Sequence, residues 1–146
     1  MRIRARALPP VVLAVALMAP GACGQSQKSD FGSLKGAQKD VAQAVYDLRD
    51  AVSKRDESKI CDTYFTAALR DQVAAAGKAA NRGSTCAAAI KDSIQDIDGT
   101  DLTVTSVQIE GTTATATIKT NVSKGTDPTD TLQLVNDRGW RISKLP

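Results

Sequence analysis

The sequence contains no histidine, and only 3% of its 146 residues are aromatic. The absence of imidazole excludes Ser-His-Asp and Cys-His nucleophile pairs and every metal site built on histidine. Phosphate-binding loops, dinucleotide fingerprints, CxxC pairs and EF-hand motifs are also missing. With 42% hydrophobic and 24% charged residues, the composition fits one small domain and excludes collagen-like, low-complexity and multi-spanning membrane proteins.

The chain also has little net charge. Its 19 Lys and Arg residues oppose 16 Asp and Glu residues, and Arg2, Arg4 and Arg6 lie in an acid-free segment of 22 residues at the amino terminus. The remainder is therefore neutral and offers no bulk attraction to nucleic acid or to anionic lipid. We expect no nucleic-acid partner and no cofactor.

Residues 1–22 have the pattern of a secretory signal peptide. The three arginines form a basic region, Val11 to Met18 form an apolar core, and small residues follow up to Ala22. The apolar stretch is shorter than the roughly 20 residues that a membrane-spanning helix needs. We therefore expect this segment to be cleaved during export.

Gly21-Ala22-Cys23-Gly24 resembles a bacterial lipobox, in which a small-small-Cys run receives diacylglycerol on the cysteine thiol. Pro20 stands where that motif usually has leucine. The resemblance implies cleavage before Cys23 and anchoring to the outer face of the cytoplasmic membrane by a lipid on Cys23. The alternative is an ordinary signal peptide cut near residues 22–24.

Residues 23–35 are expected to form the lipidated cysteine and a flexible tether. Gly24 to Ser33 are polar and small apart from one phenylalanine. Ten such residues reach at most about 35 Å when fully extended. The folded domain, residues 36–146, would therefore sit close to the membrane.

The cysteine count points to one disulfide. Three cysteines in an exported chain leave one without a partner. Lipidation of Cys23 accounts for the odd cysteine and leaves Cys61 and Cys86 to pair. The alternative is two buried free thiols.

Helical patterns occupy the first half of the domain. Val41, Val45, Leu48 and Val52 are spaced by four, three and four residues, which predicts an amphipathic helix over residues 34–54. Three further helices are predicted from their capping residues: Asp56 before a helix to Tyr64, Thr66 before Ala67 to Ala76 with Gly77 as its end, and Ser84 before Thr85 to Ile97.

After the last predicted helix, apolar residues alternate with polar ones, which is the period of two that is typical of β-strands. Four strands are predicted: Leu102 to Glu110, Thr112 to Thr120, Thr131 to Val135 and Trp140 to Ser143. In the first, the apolar positions slip in phase after Val104, which predicts a β-bulge near Thr105-Ser106. Helices followed by consecutive strands predict an α+β fold, with the helices packed on a curved antiparallel four-stranded meander.

Several segments of the domain support a family resemblance. They are Ser53-Lys54-Arg55-Asp56, Lys59-Ile60-Cys61-Asp62, Cys86, Val104-Thr105-Ser106-Val107, Ala114-Thr115-Ala116-Thr117 and Gly139-Trp140-Arg141-Ile142-Ser143. The chain resembles, over about residues 36–146, the small lipoproteins of high-GC Gram-positive bacteria with a nuclear transport factor 2-like domain. The resemblance implies a cone-shaped sheet wrapped against helices, often with a cavity between them. Relatives of that fold include enzymes, carriers and dimerisation modules, so the fold does not define the function.

The predicted inward positions of the strands carry no acid, base or nucleophile. They are Ala114, Ala116, Ile118, Leu132, Leu134, Trp140 and Ile142. Asp62 and Tyr64, on the second helix, are the acid and the phenol that an enzyme would have to use. We therefore predict a non-catalytic binding module, and an enzyme acting on a small hydrophobic substrate is the alternative.

The predicted ligand is either a small apolar molecule or an envelope protein near the membrane. Small side chains on the inner face leave space for an apolar ligand, or they let a helix approach closely. The predicted pocket consists of Val41, Val45, Leu48, Ala114, Ala116, Ile118, Leu134 and Trp140. A homodimer through the threonine-rich outer face of the second strand, or a purely structural dimerisation domain, is a further alternative.

Overall fold

The computed structural model describes residues 31–95, 101–121 and 126–146. The predictions for the signal peptide and for Cys23 lie outside these residues. The described residues form an α+β fold, helices first and then an antiparallel sheet, as predicted. The elements are α1 (Ala37–Ser53), α2 (Glu57–Lys59) with a π-helical turn (Ile60–Tyr64), α3 (Ala67–Ala79), α4 (Cys86–Gln95), β1 (Asp101–Glu110), β2 (Thr113–Asn121), β3 (Thr129–Asn136) and β4 (Trp140–Lys144). No helix in these ranges is long and apolar enough to cross a membrane.

Helix α1 buries the apolar stripe that its sequence predicts. Val41, Ala42, Val45 and Ala51 are buried, and the helix contacts β1, β2 and β4. It ends in a Schellman motif, in which the Asp56 N–H donates to the Ala51 carbonyl at 3.0 Å and the Arg55 N–H donates to the Val52 carbonyl at 2.9 Å. Arg55 has the left-handed backbone conformation that this motif requires.

Two of the predicted capping residues are confirmed. The Asp56 carboxylate accepts a hydrogen bond from the Lys59 N–H at 3.0 Å, and Thr66 Oγ1 accepts one from the Leu69 N–H at 3.2 Å. The helix that follows Asp56 runs to Tyr64, as predicted, but widens into the π-helical turn from Ile60 onward. That turn buries Ile60 and Cys61.

The prediction that Gly77 ends the third helix is wrong. Helix α3 continues to Ala79, and Asn81 with φ 55° supplies the left-handed residue of its Schellman motif. Gly77 is buried, and a Cβ atom there would lie 2.3 Å from the Ala89 Cβ. This position requires glycine because α3 and α4 approach each other closely, not because the backbone turns.

The predicted cap of the last helix is displaced by one residue. Thr85 Oγ1 accepts the hydrogen bond from the Ala88 N–H at 3.2 Å, so Thr85, and not Ser84, is the capping residue. Both residue types accept such a bond, and the sequence pattern does not separate adjacent candidates. The helix begins at Cys86, and the predicted positions 96 and 97 lie outside the described residues.

The sheet has the order β1-β2-β3-β4, with each strand antiparallel to the next. Val104 pairs with Ile118 and Ser106 with Thr117, so Thr105 is the extra residue of the predicted bulge. A second irregularity, between Gln133 and Leu134, was not predicted. The inward residues of β2 are all buried: Ala114, Ala116 and Ile118.

Neighbouring elements protect both edges of the sheet. At β1, the Tyr46 hydroxyl accepts a hydrogen bond from the Val104 N–H at 3.2 Å, and the Gln38 side-chain amide donates to the Val107 carbonyl at 3.1 Å. At β4, Phe65 forms a parallel bridge with Ile142, whose carbonyl accepts from the Thr66 N–H at 2.9 Å. These contacts use backbone N–H and C=O groups that would otherwise be free to pair with a strand of another molecule.

We predict that Gly77→Ala destabilises the protein by about 1–2 kcal/mol, because the added methyl group overpacks the contact with Ala89 and outweighs the helix propensity of alanine. Chemical denaturation measures the change. Gly32→Ala is the matched control, since no atom lies within 4 Å of its added Cβ and its φ is not in the left-handed region. Equal stability of the two variants would contradict the close approach of α3 and α4.

Candidate functional site

Cys61 and Cys86 form the predicted disulfide. Their sulfur atoms are 2.00 Å apart and their Cα atoms 6.1 Å apart, and both residues are buried. The bond joins the π-helical turn to the first residue of α4 across a sequence separation of 25 residues. A loop of this length contributes about 3.5 kcal/mol of stability in the loop-entropy model.

Six of the eight residues of the predicted ligand pocket lie in the hydrophobic core. They are Val41, Val45, Ala114, Ala116, Ile118 and Leu134. Val41, Ala116 and Leu134 have 0% accessible surface, so no water-sized space adjoins them. Leu48 and Trp140, the other two, are half-buried and pack against this core from its edge.

Two neighbouring surface depressions, which share lining residues, lie along α1 beside Trp140. One part, of about 300 Å³, is lined by Asp40, Gln43, Ala44, Asp47, Thr63, Tyr64, Arg138, Gly139, Trp140 and Arg141. A second part, of about 130 Å³, is lined by Asp47, Asp50, Ala51, Lys54, Asp56, Lys59 and Tyr64. The two parts share Asp47 and Tyr64, and we call them together the α1 groove.

Helical periodicity explains why α1 forms one wall of this groove. The wall residues of the larger part are Asp40, Gln43, Ala44 and Asp47, which follow the spacing i, i+3, i+4, i+7. The wall of the smaller part continues the same spacing with Asp47, Asp50, Ala51 and Lys54. This side of the helix is therefore polar apart from Ala44 and the buried Ala51.

The opposite wall carries two half-buried aromatic residues. Tyr64 ends the π-helical turn and Trp140 begins β4. Neither the Tyr64 hydroxyl nor the Trp140 indole N–H has a hydrogen-bond partner among the described residues. Both side chains thus keep a hydrogen-bonding group that no described residue uses.

Charged side chains surround the aromatic pair. Arg138 and Arg141 lie on the β4 side and Asp40 and Asp47 on the α1 side. Within the described ranges, neither the Asp40 carboxylate nor the Arg141 guanidinium has a hydrogen-bond or ion-pair partner. The groove therefore presents both acceptors and donors.

Asp50, in the smaller part of the groove, is held in its charged form. The Arg49 guanidinium donates two hydrogen bonds to one Asp50 oxygen, at 2.8 and 3.1 Å. These hydrogen bonds lower the pKa of Asp50 from its ordinary value. The lowered pKa extends the range in which this carboxylate is ionised toward more acidic pH.

A separate depression of about 360 Å³ lies beside the disulfide. Asp62 lines it and forms an exposed ion pair with Arg70 at 3.1 Å. Asp62 and Tyr64, the predicted acid and phenol, therefore lie in different depressions, since Tyr64 faces the α1 groove. The described part of the chain holds no cluster of three or more acidic or cysteine residues able to bind a metal ion.

No family model, curated protein or solved structure matches the chain.

Most residues of the α1 groove escaped prediction. Neither Asp47 nor Arg138 belongs to the predicted pocket, although both line the groove. The polar i, i+3, i+4, i+7 stripe was a usable signal, but polar faces of surface helices are common. Their association with Tyr64 and Trp140 depends on packing between elements far apart in the sequence.

The two tyrosines of the sequence should respond differently to removal of the hydroxyl group. We expect Tyr46→Phe to destabilise the protein by about 1 kcal/mol, because the Val104 N–H loses its acceptor at the sheet edge. Tyr64→Phe should leave stability unchanged, because its hydroxyl has no partner among the described residues. Parallel urea titrations of the two variants test this, and a larger loss for Tyr64→Phe would refute the assignment.

Proposed function

We propose that the protein is a non-catalytic binding module, held at the outer face of the cytoplasmic membrane by a lipid on Cys23. The α1 groove is its recognition surface. One observation carries the proposal: the groove is lined by Tyr64, Trp140, Asp40 and Arg141, whose side-chain polar atoms have no partner among the described residues. Such groups orient a ligand and give a site its specificity.

The buried face of the sheet supports a binding role for the protein over a catalytic one. Its buried positions on β2, β3 and β4 are apolar: Ala114, Ala116, Ile118, Leu132, Leu134 and Ile142. A general acid or base needs a titratable group positioned against its substrate. The acid proposed for the enzyme alternative, Asp62, is exposed and paired with Arg70.

Core packing favours a ligand on the surface over an apolar molecule inside the domain. Val41, Ala116 and Leu134 have no accessible surface, so a buried ligand would have to displace their packing. Displacing well-packed side chains by even one methylene group strains a core. The α1 groove accepts a ligand without such displacement.

We also propose that the domain is the nuclear transport factor 2-like cone. Support comes from the order of elements, with helices before a four-stranded meander, and from the bulge at Thr105, which bends its strand. α1 lies across the inner face, where it contacts β1, β2 and β4.

Lipid attachment at Cys23 is tested by metabolic labelling with palmitate in the native host. We expect the wild type to incorporate the label and to fractionate with membranes, because two acyl chains give stable anchoring. Cys23→Ala should lose both properties. A variant that stays fully membrane-bound, with no label in the wild type, would refute the anchor.

The recognition surface is tested by placing a photoreactive amino acid at position 47, in the groove, or at position 92, on α4, and irradiating intact cells. We expect a discrete adduct, detected by its mass, from position 47 alone. Asp92 is the matched control because it is an exposed helical aspartate outside the groove. Equal labelling at both positions, or none at position 47, would overturn the proposed function.

A further inference from the structure

We propose that the α1 groove binds a neutral carbohydrate chain. This inference rests on the proposed function and specifies the chemistry of the ligand. Five properties of the groove support it: its length, its balanced charge, its aromatic wall, the exposed arginine at its rim and its closed strand edge.

The shape of the groove suits a linear ligand. Its wall on α1 runs from Asp40 to Lys54, a rise of about 21 Å at 1.5 Å per residue. Within this length the lining repeats polar side chains at each helical turn. A repeating oligomer can form hydrogen bonds with this whole series of polar side chains, whereas a compact metabolite would reach only part of it.

The charge of the groove favours a neutral ligand rich in hydroxyl groups. Four aspartates and four lysine or arginine residues line its two parts, so the formal charges cancel. Carboxylates only accept hydrogen bonds and guanidinium groups only donate them, while a hydroxyl does both. Sugar hydroxyls can therefore pair with Asp40, Asp47 and Arg141 together.

The aromatic wall complements the apolar face of a sugar ring. Trp140 offers a large amphipathic surface, with its indole N–H free to donate to a ligand oxygen. Tyr64 lies at the junction of the two parts of the groove and adds a hydroxyl without a partner among the described residues. An aromatic face with polar groups at its margin provides both stacking and orientation.

Arg138 adds a strained residue at the rim. Its φ of 57° is a left-handed conformation that disfavours L side chains, yet its guanidinium is almost fully exposed, with a side-chain accessibility of 92%. Asparagine or glycine would adopt this turn more readily. Arg138 also forms a long ion pair with Asp137, at 3.8 Å, and its other guanidinium donors stay exposed beside the groove, where they can bond a ligand.

A peptide fits the groove less well. Strand addition at this edge is blocked because Phe65 and Thr66 already occupy the backbone of Ile142. An amphipathic helix needs an apolar groove, but the aliphatic lining here is confined to Ala44 and Ala51. A proline-rich peptide lacks the N–H donors that the aspartates require.

The test uses the fluorescence of Trp140, the single tryptophan of the sequence, in the full-length protein. The probes are neutral tetramers of N-acetylglucosamine, cellobiose-type glucose and maltose-type glucose, with a proline-rich decapeptide and a lysine-rich decapeptide as comparison ligands. We expect at least one tetramer to shift the emission saturably. Because the ligand is neutral, its Kd should change less than twofold between 50 and 500 mM NaCl.

Variants locate the binding. Asp47→Asn and Tyr64→Phe should each raise the Kd at least tenfold, and Asp92→Asn should leave it unchanged. Arg138→Gly should weaken binding while the Tm stays equal or rises, because glycine relieves the left-handed conformation. This opposite effect on affinity and stability separates a ligand contact from a structural role.

The results that would overturn the inference are distinct from those that would overturn the proposed function. Binding of a peptide, and of no saccharide, at Trp140 would reject the carbohydrate ligand and retain the groove as a binding site. Saccharide binding that is unaffected by Asp47→Asn and Tyr64→Phe would reject this location. A groove that binds no saccharide or peptide and yields no photoadduct would reject both.

Discussion

Helix α1 packs closely against the inner face of the sheet, and this contact shapes both the core and the surface beside it. Val41 and Val45 on the helix and Ala116 and Leu134 on the sheet are almost completely inaccessible to water. The small side chains of β2 let the helix approach, and the resulting burial of apolar surface is the dominant favourable term in folding. The interior is therefore filled, and the space that a ligand could occupy lies at the surface beside the helix.

The same helix therefore builds both the core and the candidate site. One stripe of α1 is buried, and the neighbouring stripe, which includes Asp40 and Asp47, faces the π-helical turn and β4. Two further side chains of the helix, Gln38 and Tyr46, hydrogen-bond the exposed edge of β1. A shift of this helix would alter the core, the groove and the sheet edge together, since all three share its backbone.

Two contacts that do not involve α1 hold α3, α4 and the π-helical turn together. The disulfide fixes the π-helical turn to α4, and the contact between Gly77 and Ala89 brings α3 against α4. The turn that carries Cys61 also carries Tyr64, so this covalent link helps to position the aromatic wall of the groove. Rigid support of this kind reduces the entropy lost when a ligand binds.

Features that depend on neighbouring residues can be predicted from the amino-acid sequence alone. The amphipathic pattern of α1, the caps at Asp56 and Thr66, the bulge at Thr105 and the order of the strands all follow from local periodicity and side-chain hydrogen bonding. Pairing of Cys61 with Cys86 was predicted from the cysteine count together with the expected lipidation of Cys23. The contact of Gly77 with α4, and the meeting of Tyr64, Trp140 and Asp47 in one groove, depend instead on tertiary packing. These residues are distant in the sequence, and their meeting depends on how α1, the π-helical turn and β4 pack, which no local pattern encodes.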